Sequence, residues 1–308
     1  MNSPLRIVFY GTPEFAAYSL KQIHQSGFQI IAVVTAPDKP AGRGLAVQSS
    51  AVKKMAEELS LHVLQPSNLK SESFLSELKT LNPDVQVVIA FRMLPETVWA
   101  LPSKGTFNLH ASLLPQYRGA APINHAIING EKETGVTTFF IEKELDTGKI
   151  ILQSKVEITN QDNAGTLHDK LMFEGADLVN KTLIQIQNNT VRSSTQSVDG
   201  IVLKAAPKIF PQDCYINWEQ NASAIYNFVR GLAPYPVART QHNDKIFKVY
   251  ATALSETASI PTLSPGEWSI TNKQLLVGCA DQNILITEIQ QEGKKRMKIA
   301  DFLLGYRD

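Results

Sequence analysis

Apolar residues run almost unbroken through four short stretches in the first half of the chain. These are Leu5 to Tyr10, Phe28 to Thr35, His62 to Gln65 and, most apolar of all, Asp84 to Ala90. Between them, Pro13 to Gln25, Ala51 to Leu59 and Ser71 to Leu81 repeat apolar residues at helical spacing. Strands with one wet face alternate apolar and polar residues, whereas continuous hydrophobicity marks strands buried on both faces. The pattern predicts an α/β fold: a Rossmann-like, mostly parallel sheet with helices on both faces. A further helix over Gly165 to Ile186, with Leu167, Leu171, Ala176, Val179 and Leu183 along one face, closes a first domain at residue 189. Polar residues from Gln187 to Gly200 read as a linker, placed at 190–206.

From residue 207 to 308 the pattern changes. A helix near Ala222 to Arg230 is followed by short apolar runs at Lys245 to Leu254, Gln274 to Gly278 and Asn283 to Ile289, separated by Pro and Gly. Periodicity alone fits a small barrel and a small sandwich equally.

Composition narrows the setting. With 43% hydrophobic and 19% charged residues among 308, the chain reads as a soluble globular protein of two ordinary domains. No signal peptide or membrane span is legible, and Cys214 and Cys279 are too few for a disulfide framework or zinc cage, so a cytoplasmic setting is expected. A net charge of +1 argues against broad affinity for nucleic acid and restricts any such contact to local patches. The turn after the first strand has only Gly11 where a dinucleotide loop needs G-x-G-x-x-G. Thr12 suits an N-cap, Pro13 the first helical position, and Glu14 puts a carboxylate where a phosphate would have to bind.

Candidate chemistry concentrates in Asn108-Leu109-His110 and Leu145-Asp146-Thr147-Gly148. Gly105 to His110 reads as a strand, so Asn108 and His110 project from one face while Leu109 faces the core. Ser112 to Gly119 contains Pro115 and Gly119 and should loop back over the site. An amide, an imidazole and a carboxylate suit transfer of an acyl group to an amine: Asn108 donates to the oxyanion, His110 donates to it or moves the proton, and Asp146 orients and charges the imidazole. Taken singly, a strand histidine is more often structural and Asp-Thr-Gly more often a turn.

Taken together, Asn108-Leu109-His110, Ser112-Leu113-Leu114-Pro115, Arg118-Gly119-Ala120-Ala121-Pro122 and Leu145-Asp146-Thr147-Gly148 resemble the formyltransferase family that uses 10-formyltetrahydrofolate. Gly11-Thr12-Pro13-Glu14-Phe15-Ala16 and Pro40-Ala41-Gly42-Arg43-Gly44 resemble the branch that acts on methionyl-tRNA. The resemblance covers nearly the whole chain. It implies an enzyme that formylates the initiator methionyl-tRNA, with 10-formyltetrahydrofolate as cosubstrate. The chemistry and the ligand pattern call for no metal, and a monomer that does not engage membranes is expected. It implies catalytic roles for Asn108, His110 and Asp146, and folate contacts from Phe91, Ser112, Leu113, Leu114, Pro115 and Ile141. Contacts to tRNA fall on Arg43, Lys39 and Lys208, and residues 207–308 become an oligonucleotide-binding (OB-like) barrel that binds tRNA.

This chain departs from the family in two places. Lysines that often follow the Pro40–Gly44 motif are replaced by Leu45-Ala46-Val47-Gln48, and Arg92 stands where relatives tend to have glycine beside the pterin. Lys294, Lys295, Arg296 and Lys298, with Arg230, Arg239, Lys245 and Lys248, are read either as a face that tracks a nucleic-acid backbone or as solvated charge. Two rival functions stand beside the main one. An amino-sugar nucleotide formyltransferase would share the three polar residues, and a noncatalytic folate- or RNA-binding protein would not need them together.

Overall fold

A computed structural model describes residues 4–41, 46–254, 262–271 and 273–306. The elements that the hydrophobic pattern predicts are observed with ends within one or two residues of those expected. Seven strands form the N-terminal sheet: β1 Arg6–Gly11, β2 Gln29–Val34, β3 Val63–Leu64, β4 Val85–Ile89, β5 Thr106–His110, β6 Glu133–Phe140 and β7 Ile150–Glu157, in the order β7-β6-β5-β4-β1-β2-β3. The strands from β3 to β5 pair in parallel, while β6 runs antiparallel to β5. The chain builds one way from β1 through β2 and β3, then restarts with β4 on the other side of β1. In open α/β sheets such a reversal leaves a crevice at the carboxyl ends of the strands.

Register decides what faces what. Val8, Tyr10 and Val88 share a core with Phe74 and Leu78 of helix Glu72–Leu81. Val88 pairs with Asn108 and Ile89 with Leu109, so Asn108 and His110 lie on that face and Leu109 on the other. There, a Cβ at Gly175 of helix Ala164–Gln187 would come within 2.7 Å of Leu109 Cδ2, so the glycine permits close helix–strand approach.

One detail differs from expectation. Pro13, not Thr12, is the N-cap of helix Glu14–Gln25: its carbonyl accepts from Ala16 and Ala17 at 3.1 Å, and no side chain caps the helix.

The chain folds as two compact units, Met1–Gly119 with Thr134–Val156 and His168–Ala205, and Ala120–Glu133 with Glu157–Leu167 and Ala206–Asp308. A single division at 190–206 therefore describes the chain incompletely, because two earlier segments belong with the C-terminal residues. The stretch read as a linker packs into the first unit: Ser194 bridges to Ile150, and Gln116 donates from Nε2 to Val202 O and accepts from Lys204 N. Polar composition marked it as a connector, but Ser194, Gln196, Val202 and Lys204 bond to other segments of the first unit.

In the second unit, β8 Ala238–His242, β9 Lys245–Leu254, β10 Trp268–Thr271, β11 Gln274–Gly278 and β12 Asn283–Gln291 form an antiparallel sheet in the order β8-β9-β12-β11-β10. Helices Ala222–Leu232 and Ile299–Gly305 pack on its apolar core. Among the described residues, no helix is long and apolar enough to cross a membrane.

Arg230 leaves the basic face suggested by sequence. It is 7% exposed and donates to the carbonyls of Thr159 (3.0 Å) and Asp162 (2.9 Å) and to Asn227 Oδ1 (2.9 Å). Arg296 is committed to Glu288 at 2.6 Å and lies over the Tyr250 ring. Arg230→Ala strands buried acceptors, so chemical denaturation should show a loss of about 1–3 kcal/mol. Nucleic-acid affinity measured well below the transition should stay unchanged; weaker affinity at unchanged stability would restore Arg230 to a binding face.

Candidate active site

His110 ends β5, and its ring is held by the loop that follows it. The imidazole Nε2 lies 2.9 Å from the carbonyl of Tyr117, and because a carbonyl only accepts, that nitrogen carries a proton. Nδ1 then faces Asp146 Oδ2 across 4.0 Å, with both side chains largely buried. That separation exceeds a hydrogen bond but suits an ion pair once Nδ1 is protonated. The neutral ring is therefore oriented by the Tyr117 carbonyl rather than by Asp146, a group sequence could not single out because it belongs to the main chain.

Asp146 reaches this position by an indirect route. The turn between β6 and β7 begins at the far end of β5, where Ile141 N donates to Thr106 O at 2.8 Å. Thr106 and His110 are separated by roughly 13 Å of strand. Residues 142–146 must double back along the face that carries Asn108 and His110. Asp146 sits at a positive φ of 55°, and its Oδ2 accepts from Gly119 N at 3.1 Å. Gly148 is forced by close approach, since a Cβ there would stand 1.7 Å from the carbonyl oxygen of Phe140.

Asn108 is half-buried on the same face as His110, and no group among the described residues holds its amide. The three polar residues singled out by sequence thus come together, with one amide left available.

The loop after His110 is fastened along its length. Thr137 Oγ1 donates to Ser112 O at 2.6 Å and accepts from Leu114 N at 3.1 Å; Gln153 Nε2 donates to Leu114 O at 2.9 Å. Ser112 itself is buried and donates to Gln116 O at 2.6 Å. Leu113 and Pro115 are half-buried, and Leu114 is buried. Phe91 follows β4 at the crevice and meets the ring of Tyr10 edge-on at 5.7 Å, while Ile141 packs partly buried against the same core. The Tyr10 hydroxyl is buried without a partner among the described residues, and burial raises the pKa of its phenol.

Arg92 does not crowd this wall freely. Its guanidinium donates to the carbonyls of Pro66 and Ser67 and lies over the Phe91 ring at 5.6 Å.

The cationic candidates fare unevenly. Lys39 is exposed, and Arg43 lies outside the described residues. Lys53, at the base of the same loop, is tied to Asp38 at 2.5 Å; that hydrogen bond lowers the Asp38 pKa and raises that of Lys53. Lys208 is exposed, with Nζ over the Phe210 ring at 5.2 Å.

Comparison with known proteins covers both units. The formyl transferase family model matches residues 5–183, and the formyl transferase C-terminal domain matches residues 208–307. The chain is 45% identical to a methionyl-tRNA formyltransferase of Bacteroides thetaiotaomicron, over 98% of this chain and 96% of that protein. It is 47% identical to one of Flavobacterium johnsoniae, with the same coverage. A sugar 3N-formyl transferase solved with dTDP and 5-N-formyl-THF superposes with a TM-score of 0.67 at 21% identity, over 94% of this chain and 99% of that one. HypX from Aquifex aeolicus, solved with tetrahydrofolic acid, gives 0.64 at 17% identity, over 98% of this chain and 47% of that one. At these identities the two structures speak for the fold alone.

Proposed function

The chain belongs to the formyl transferase family, and from that premise we propose how its residues carry the reaction. The enzyme transfers a formyl group to the amino group of methionyl-tRNA, the acceptor used in translation initiation. Similarity of 45–47% to methionyl-tRNA formyltransferases across both units carries this assignment. The donor is a folate, which we take as 10-formyltetrahydrofolate, and the chemistry needs no metal.

Attack of the methionyl nitrogen on the formyl carbon places negative charge on the carbonyl oxygen and leaves an acidic N–H. The Asn108 amide, unheld among the described residues, donates to that oxygen; a donor of this kind supplies about 2.7–4 kcal/mol of barrier reduction. His110 takes the proton at Nδ1, the nitrogen its bond to Tyr117 leaves open, and the 4.0 Å contact with Asp146 becomes an ion pair as the amine is consumed. Collapse of the tetrahedral species returns a proton to the departing folate nitrogen. Phe91, Leu113, Leu114, Pro115 and Ile141 supply apolar walls for the folate, and the Ser112–Pro115 backbone supplies polar contacts through the groups that its bonds to Thr137 and Gln153 leave open. Lys39, Arg43 and Lys208 contact the tRNA backbone, with residues 207–308 as the tRNA-binding part.

The test uses a donor labelled in the formyl carbon. Label should enter methionyl-tRNA and be recovered as N-formylmethionine after mild base releases the amino acid. Label in uncharged tRNA, or none in either, would refute the assignment.

A further inference from the structure

We propose that Gln196 and Arg118 are positioning residues for Asp146, which makes the polar stretch between the last helix of the first unit and residue 206 part of the catalytic centre. The inference rests on the reaction assigned above. Gln196 is 7% exposed, whereas every residue from Arg192 to Thr195 and from Ser197 to Ala205 is exposed. A single buried glutamine in such a run must be held by its polar groups, because burying an unbonded carboxamide is costly.

Its bonds use its full capacity. Nε2 donates to Asp146 O and Gly148 O, both at 2.9 Å, and Oε1 accepts from Arg118 Nε at 3.1 Å and Nη2 at 2.6 Å.

The targets explain the arrangement. Asp146 has a left-handed backbone, which a residue with a Cβ keeps only where its surroundings impose it. Gln196 grips the main chain on both sides of Thr147, bracketing the turn that presents the carboxylate. Arg118 holds Gln196, and the next residue, Gly119, donates its N–H to the Asp146 carboxylate at 3.1 Å. The Arg118-Gly119 pair thus reaches Asp146 twice, through the glutamine to the backbone and directly to the side chain. The same loop carries the Tyr117 carbonyl that orients His110. One ring of bonds therefore sets both members of the His110–Asp146 pair.

Two substitutions separate positioning from bulk stability. Gln196→Ala removes the whole grip. Gln196→Glu keeps the shape and the acceptor for Arg118 but sets an oxygen against the two carbonyls. Each should lower kcat for methionyl-tRNA formylation on the order of 10²-fold, with KM for 10-formyltetrahydrofolate within about threefold of wild type. Because Gln196 acts through Asp146, the double variant Asp146→Ala/Gln196→Ala should be no slower than Asp146→Ala alone. Thermal melts run alongside decide which single variant is read, and Gln196→Glu serves if Gln196→Ala is unfolded at assay temperature. A folded variant with wild-type kcat, or a double variant whose losses multiply, overturns the proposal. Wild-type enzyme is assayed in the same series, so failure of the reaction assignment shows as an inactive wild type, distinct from failure of the role of Gln196.

Discussion

His110→Ala should reduce kcat by about 10²–10⁴, the range that positioned proton transfer supplies, while binding of a nonreactive folate analogue persists. The proposed folate walls are Phe91, the Leu113–Pro115 run and Ile141, which are held by contacts other than the imidazole. Asn108→Ala should fall by about 10²–10³ for loss of the oxyanion donor. Asp146→Ala removes the carboxylate that faces Nδ1 of His110 across 4.0 Å and should likewise lower kcat severely. Combining any two should cost far less than the product of the single losses, because one oxyanion and one proton are shared by the set. Single-turnover kinetics with saturating folate read these losses free of product release. An Asp146→Ala enzyme with near-normal turnover across neutral pH would remove Asp146 from the mechanism.

Gly148→Ala carries the second large effect, although Gly148 touches no reacting atom. Its Cβ would occupy space 1.7 Å from the carbonyl oxygen of Phe140 and 2.9 Å from that carbonyl's carbon, both rigid main chain. The loop must move, and Asp146 lies two residues away with its backbone carbonyl and that of Gly148 on the same glutamine. Overpacking of this kind costs about 1–3 kcal/mol of stability. A displacement near 1 Å can remove on the order of 10² in rate. The expected result is a modest drop in melting temperature with a disproportionate drop in kcat. Equal stability and activity to wild type would mean that the loop relaxes without moving the carboxylate.

Particular residues show how much of this was legible in sequence. Elements with continuous or helically spaced apolar residues, such as Val85–Ile89 and Ala164–Gln187, were readable because burial on two faces or one imposes the pattern directly. Asn108, His110 and the Asp146 motif were readable as candidates because their side-chain chemistry is unusual in combination, and the fold places Asp146 beside His110. Other features were not readable. The carbonyl that orients His110 has no side-chain signature. Gln196 sits in a polar run whose composition matches a linker, and nothing in composition says that one glutamine of that run is buried. Arg230 counted as surface charge, although helix Ala222–Leu232 turns it inward onto the carbonyls of Thr159 and Asp162. Charge is visible in a sequence; the direction a side chain faces at a tertiary contact is not. Trp268–Thr271 and the helix Ile299–Gly305 also escaped, being short elements held by the sheet and core around them.

The central claim is acceptor identity combined with formyl chemistry, and one measurement addresses both. Formyl transfer from 10-formyltetrahydrofolate is followed with methionyl-tRNA and a nucleotide-linked amino sugar in the same reaction, and kcat/KM is obtained for each. The account predicts that formyl groups accumulate on methionyl-tRNA, with negligible transfer to the sugar. It also predicts that Asn108→Ala, His110→Ala and Asp146→Ala each slow this transfer by about 10²-fold or more without preventing folate binding. Preferential formylation of the amino sugar would contradict it, as would undiminished transfer by the three variants.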